Sequence, residues 1–185
     1  MEQKDYSLEI VNLLLKEKLH VRALAKKLNT NHMTISRKIK ILLEENVVDF
    51  KEQGKNNIYF LKNNSEAKSF VFIAENYKLK QLLKKHPPLR QIIEKIQVNN
   101  KIKLAIIFGS YAKGLAKKTS DVDVYIETQN LGLKKELEMK DSMLSIKIGK
   151  YNKSSLLIKE IEKNHVIIKG VEKFYEKSGF FENNN

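Results

Sequence analysis

The sequence predicts an α+β protein in two folded parts, a conclusion that rests on three observations. The N-terminal third carries apolar residues at helical spacing, broken by Asn29-Thr30-Asn31, then two β-prone runs around a polar, Gly-containing tip. A long helical stretch follows and stops at His86-Pro87-Pro88. The last part opens with a continuous apolar run that ends in Gly109-Ser110, followed by the alternation Asp121-Val122-Asp123-Val124. The expected division is a helical part closed by a hairpin over 1–64, a helical linker over 65–100 and a mixed-sheet domain over 101–181.

Composition narrows the class. The 185 residues are 42% hydrophobic, enough for folded cores, and no run approaches the roughly 18 apolar residues of a membrane span. Met1 to Asp5 lacks the apolar stretch of a signal peptide, and with no cysteine there is neither a disulfide framework nor a thiolate zinc site. The expectation is a cytoplasmic protein with no membrane partner. A net charge of +13 favours polyanions. The excess is local: His20 to Leu43 holds six cations (Arg22, Lys26, Lys27, Arg37, Lys38, Lys40) and no acid.

Leu8, Val11, Leu14 and Leu15 mark one helix face; Val21, Leu24, Ala25 and Leu28 mark a second. Asn31 stands as the N-cap of a third helix, with Ile35, Ile39 and Leu42 facing inward. Its outward positions are His32, Met33, Thr34, Ser36, Arg37 and Lys40, side chains suited to base edges and phosphates of double-stranded DNA. Val47–Phe50 and Ile58–Leu61 flank the tip of a hairpin, from which Lys51 and Lys55 can reach phosphate. On "VRALAKKLNTNHMTISRKIKILLEENVV" the segment resembles the winged helix-turn-helix domains of transcription regulators, with a protein-binding or dimerising helical bundle as the competing reading.

Ser65 opens a helix through Phe70, Val71, Ala74, Leu79 and Leu82, and a second runs from Leu89 to Ile96. A helix this apolar beside such a module suits a homodimer interface.

Residues i and i+2 of a strand share a face, so Asp121 and Asp123 point together while Val122 and Val124 enter the core. Two carboxylates on one face suit Mg²⁺, which completes its shell with water and substrate phosphate. Gly109 lets backbone approach phosphate, and Ser110 offers a hydroxyl. The stretch "FGSYAKGLAKKTSDVDVYI" resembles the signature of minimal nucleotidyltransferases of the polymerase-beta-like superfamily. Gly109, Ser110, Ala112, Gly114, Ser120, Asp121 and Asp123 match its pattern; Lys113 stands where Arg is usual.

The resemblance implies an NTP substrate or ligand, with Mg²⁺ on Asp121 and Asp123 as catalytic carboxylates, and Gly109, Ser110, Lys113 and Ser120 around the nucleotide. It also admits a HEPN-type protein partner, since such domains occur as antitoxins. Active members carry a third acid on a later strand; here Leu144–Ile148 presents Ser145 and Lys147, and Asp141 precedes it. The function expected is a DNA-binding transcription regulator whose second domain binds Mg-NTP, with active transfer of a nucleoside monophosphate as the alternative. His165 and the aromatics Phe174, Tyr175, Phe180 and Phe181 read as packing residues before they read as a base or a stacking platform.

Replacing Arg37 and Lys40 by Ala removes two expected phosphate or base contacts from the third helix. Duplex binding should weaken and its salt dependence flatten by about one unit per lost phosphate contact. Unchanged retention on duplex DNA at low salt would rule out reading by this helix.

Overall fold

The computed structural model describes residues 4–117, 119–140 and 142–182. The chain packs as two compact units that divide between Tyr77 and Lys78.

In the first unit, three short helices start where side chains replace the missing intrahelical acceptors. Asp5 caps α1 (Tyr6–Leu14) by accepting from the Ser7 N–H at 3.0 Å. The Nδ1 of His20 accepts from Ala23 N–H at 3.0 Å and caps α2 (Val21–Leu28). Asn29, in the left-handed region at φ 50°, ends that helix. Asn31 Oδ1 then accepts from Thr34 N–H at 2.8 Å to start α3 (His32–Glu44). Ile35, Ile39 and Leu42 of α3 are buried, as are Ile10, Val11 and Leu14 of α1 and Leu24, Ala25 and Leu28 of α2.

Strands β1 (Val48–Gln53) and β2 (Asn56–Leu61) form an antiparallel hairpin, and Leu19 bridges to Tyr59 as a third, one-residue strand. The ladder runs to the Gln53–Asn56 pair, so only Gly54 and Lys55 form the turn. The polar segment 51–57, expected as a tip, is therefore mostly strand, because main-chain pairing continues without apolar side chains. Lys51 sits on β1, its Nζ 5.9 Å from the Phe60 ring centre, whereas Lys55 is in the turn. The unit thus has the helix–turn–helix plus hairpin arrangement of a winged helix.

Helix α4 (Ser65–Lys85) begins at Asn64, whose Oδ1 accepts from Ala67 N–H at 2.8 Å. Its Ala67, Val71 and Ala74 are buried in the first unit, while Leu79 and Leu82 belong to the core of the second.

The second unit is a four-stranded mixed sheet in the order β5-β4-β3-β6. Strand β3 (Ala105–Ile107) pairs antiparallel with both β4 (Val122–Glu127) and β6 (Val166–Lys169); β5 (Leu144–Gly149) runs parallel to β4. Period-two alternation gives the sheet two faces. One, with Ala105, Ile107, Val122, Val124, Ile126 and Ile146, packs into a core shared with Ile92, Ile93 and Ile96 of α5 (Leu89–Val98) and Leu133 and Leu137 of α7 (Leu131–Lys140). The edge strand β5 is covered in part by α7: Glu138 accepts from the Ile146 N–H at 2.9 Å.

The opposite face carries Asp123, Tyr125 and Glu127, and α9 (Val171–Ser178) reaches it through a Lys177–Glu127 ion pair of 2.8 Å. His165 Nδ1 bonds to the Ile161 carbonyl at 2.8 Å and its ring lies 4.5 Å from that of Phe174. Phe174, Tyr175, Phe180 and Phe181 contact one another at 5.0–5.9 Å between ring centres, so their rings pack the C-terminal helix. No helix of the described residues is long and apolar enough to cross a membrane.

Gly170 joins β6 to α9 at φ +82°, and a Cβ there would collide with the Lys103 carbonyl and stand 3.3 Å from Leu104 Cα. Backbone cannot give way cheaply, so Gly170→Ala should lower the stability of the second unit by about 2 kcal/mol or more. Urea unfolding followed by circular dichroism checks it; a midpoint equal to wild type would show that the turn relaxes.

Candidate nucleotide site

The site grows from the end of the central strand. After the buried Ala105-Ile106-Ile107 the chain turns at Phe108, whose N–H donates to the Asp123 carbonyl at 3.0 Å, and enters the single-turn helix α6 (Gly109–Ala112). Gly109 has φ +64°, and a Cβ built on it would collide with the Asp123 carboxylate, lying 3.2 Å from its Cγ. Asp123 therefore occupies the space that any other residue at 109 would fill. This approach puts a carboxylate directly against the first residue of the turn.

Asp121 just precedes β4 and is exposed; Asp123, two residues on, is half-buried within the strand. Among the described residues no group of three or more His, Asp or Glu gathers as a ligand set. A carboxylate packed on Gly109, with a second two residues before it in the chain, fits a hard cation that takes its remaining oxygens from water and phosphate.

The other residues expected at the nucleotide divide into two groups. Ser110 lies in α6, next to the Gly109–Asp123 contact, and its carbonyl accepts from Leu115 N–H at 2.9 Å. Ser120 lies beside Asp121, but its Oγ accepts from Lys117 N–H at 2.9 Å and so closes the loop leading into β4. Lys113 ends α6 and its Nζ is 2.7 Å from Glu160 on α8 (Leu156–Lys163). Glu160 is a feature the sequence reading missed. An exposed pair of this kind contributes at most about 1 kcal/mol, so an incoming phosphate can displace the carboxylate from Lys113.

Strand register explains what stands where a third acid is expected. Asp123 pairs with Ser145 and Tyr125 with Lys147 across the parallel β4–β5 ladder, which places Ser145 and Lys147 on the Asp123 face. Asp141 lies outside the described residues. Glu138, bonded to the Ile146 N–H, serves the sheet edge. The neighbouring phenols are poor proton acceptors. Burial pushes Tyr125 far above its ordinary range, with the Glu127 charge adding to it. Burial and then the 2.7 Å hydrogen bond to Glu162 do the same to Tyr151. Both stay protonated at any physiological pH.

In the first unit, His32, Met33, Ser36, Arg37 and Lys40 are exposed on α3 and Thr34 is half-buried. Lys40 lies 3.8 Å from Glu44, a loose exposed pair. Lys51 and Lys55 are exposed on the hairpin.

Residues 90–174 match the family described as polymerase beta, nucleotidyltransferase. A protein of Methanocaldococcus jannaschii, MJ1215, provisionally assigned as a protein adenylyltransferase, is 34% identical over 82 residues, 42% of this chain and 88% of the relative. Among solved structures, the adhesin competence repressor of Streptococcus pyogenes is 18% identical, with 49% of this chain and 68% of that one covered at a TM-score of 0.40. A homodimeric winged helix-turn-helix DNA-binding domain from Mycobacterium bovis is 23% identical, covering 38% and 65% at 0.35. A toxin-antitoxin structure with AMP-PNP is 20% identical, covering 58% and 81% at 0.35. At these scores the three structural likenesses fix neither unit's fold nor a ligand.

The Gly109–Asp123 contact yields a direct test. Gly109→Ala should displace the Asp123 carboxylate and weaken Mg-ATP binding by about tenfold or more, equivalent to about 1.4 kcal/mol. The left-handed backbone adds a stability loss of about 1–3 kcal/mol. Calorimetric titration at a temperature where the variant is folded reads the first effect. Wild-type affinity in a folded Gly109→Ala protein would mean that the carboxylate is not part of the nucleotide site.

Proposed function

We propose that this chain, which belongs to the polymerase beta nucleotidyltransferase family, binds a magnesium nucleoside triphosphate in its second unit and double-stranded DNA through α3 of its first. The observation that carries the first half is the close approach of Gly109 to Asp123. In this reading Asp121 and Asp123 hold the cation, and Ser110 and the start of α6 receive the triphosphate. Mg²⁺ supplies charge neutralisation of the phosphates. Lys113 exchanges Glu160 for a phosphate oxygen, and Ser120 keeps the 117–120 loop closed so that Asp121 is presented beside Asp123.

The second half rests on the charge of α2 and α3, on the exposed short and basic side chains of α3, and on the hairpin beside it. Joined in one chain, the two activities describe a transcription regulator that responds to a nucleotide.

A second reading is favoured by the relative with a protein adenylyltransferase assignment. In it a protein hydroxyl attacks the α-phosphate of ATP, the new P–O bond forms as the α–β bridge breaks, and pyrophosphate leaves. The hydroxyl proton needs an acceptor. Ser145 and Lys147 occupy the β5 positions on the Asp123 face, and neither is a carboxylate. Nucleotide binding with slow or no transfer is therefore the stronger reading.

Titrating each NTP with Mg²⁺ into wild type and into Asp121→Asn/Asp123→Asn tests the proposal. Saturable, Mg²⁺-dependent binding to wild type that disappears in the double variant is the expected result. Equal binding by both proteins would move the site elsewhere, and no binding to wild type would leave only the DNA function. Incubation with α-labelled ATP distinguishes the second reading: label retained covalently on protein, with pyrophosphate released, favours transfer over binding.

A further inference from the structure

The first unit contains a cleft of about 280 Å³ lined by His20, Arg22, His32, Lys55, Asn57 and Tyr59, with Val21 and Asn56 completing its wall. We propose that this cleft is a second phosphate-binding site, separate in sequence and in unit from Gly109-Ser110. It takes a single phosphoryl group, either of a DNA backbone or of a free nucleotide.

The lining chemistry leads to this assignment. Two of the lining residues, Arg22 and Lys55, are basic, two are imidazoles, and none is acidic. They come from three separate places in the chain: the start of α2, the start of α3 and the hairpin turn. Convergence of cations across a concave surface concentrates positive potential there. His20 adds a defined donor. Its Nδ1 is used as an acceptor for Ala23 N–H at 3.0 Å, which fixes the neutral ring as the Nε2–H form. Asn56, Asn57 and Tyr59 contribute groups that bond neutral oxygens, as a sugar or ester oxygen beside a phosphate requires.

Size restricts the ligand. Pockets that enclose drug-sized molecules run from about 300 to 1,000 Å³. At about 280 Å³ the cleft holds a phosphate and an adjoining sugar better than a whole nucleoside triphosphate. It also adjoins α3 through His32, one of the residues expected at DNA. A phosphodiester held there would fix the register of α3 on a duplex from the hairpin side. That arm of the proposal rests on the DNA-binding reading; the nucleotide arm does not.

The test uses the full chain carrying Arg22→Glu, with Arg22→Lys as the charge-preserving control and Lys55→Glu as an independent change in the hairpin turn. Arg22 and Lys55 are both exposed, so the variants should fold, and thermal melts confirm it. Each protein is titrated with a mixed-sequence duplex at several salt concentrations, and separately with AMP and Mg-ATP. A duplex affinity reduced about tenfold by both Glu variants and kept by Arg22→Lys, with a salt slope smaller by about one, assigns the cleft to the DNA backbone. Unchanged duplex binding together with loss of a nucleotide-binding event that survives Asp121→Asn/Asp123→Asn assigns it to free nucleotide. If neither ligand's binding changes in either Glu variant, the proposal is overturned. A wild type that binds no duplex at all would defeat the DNA reading, and the nucleotide titrations would then decide the cleft alone.

Discussion

The carboxylate of Asp123 lies against a glycine that has no room for a side chain, and the second unit is organised around that contact. Gly109 must adopt φ +64° for the chain to leave β3 and begin α6 at once, and only the absence of a Cβ lets Asp123 come so close. The Phe108 N–H to Asp123 carbonyl bond ties the same two segments through the backbone. Two interactions thus hold an acid and a helical turn together at the end of a strand buried on every side. Rigidity there has a physical source: Ala105, Ile106 and Ile107 are fully buried, between partner strands on both edges.

The charges around that contact decide what chemistry the site supports. Two carboxylates, with no third gathered among the described residues, suit a cation shared with phosphate oxygens. On β5 the paired positions bring a hydroxyl and an ammonium, Ser145 and Lys147, and the phenols nearby are locked in the protonated form by burial. Neither change hinders the binding of a polyanion. The β5 positions on the Asp123 face offer no carboxylate to act as a base for a nucleophile. Lys113, balanced by Glu160, supplies a cation whose partner is weak enough to be exchanged.

Much of this was legible in the sequence because it is local. The Asn31 cap, the inward Ile35, Ile39 and Leu42, the stop at the prolines, and the inward Val122 and Val124 beside Asp123 all follow from spacing over a few residues. Continuation of the hairpin through polar residues 51–53 was missed, since main-chain pairing leaves no apolar signature. Lys113 and Glu160 are far apart in the chain, as are Arg22 and Lys55, so no pattern in the sequence announces the ion pair or the shared cleft. The register that sets Ser145 beside Asp123 is likewise a tertiary fact, although the absence of an acid from 144–148 was plain.

The central claim is that a cation and a triphosphate meet at the Gly109–Asp123 contact. The most direct measurement is a crystal structure of the full chain grown with Mg²⁺ and a non-hydrolysable ATP analogue. The account predicts metal density between Asp121 and Asp123, phosphate density on Gly109 and Ser110, and Lys113 released from Glu160. Nucleotide bound elsewhere on the second unit, with Asp123 still packed on an empty Gly109 turn, would contradict it.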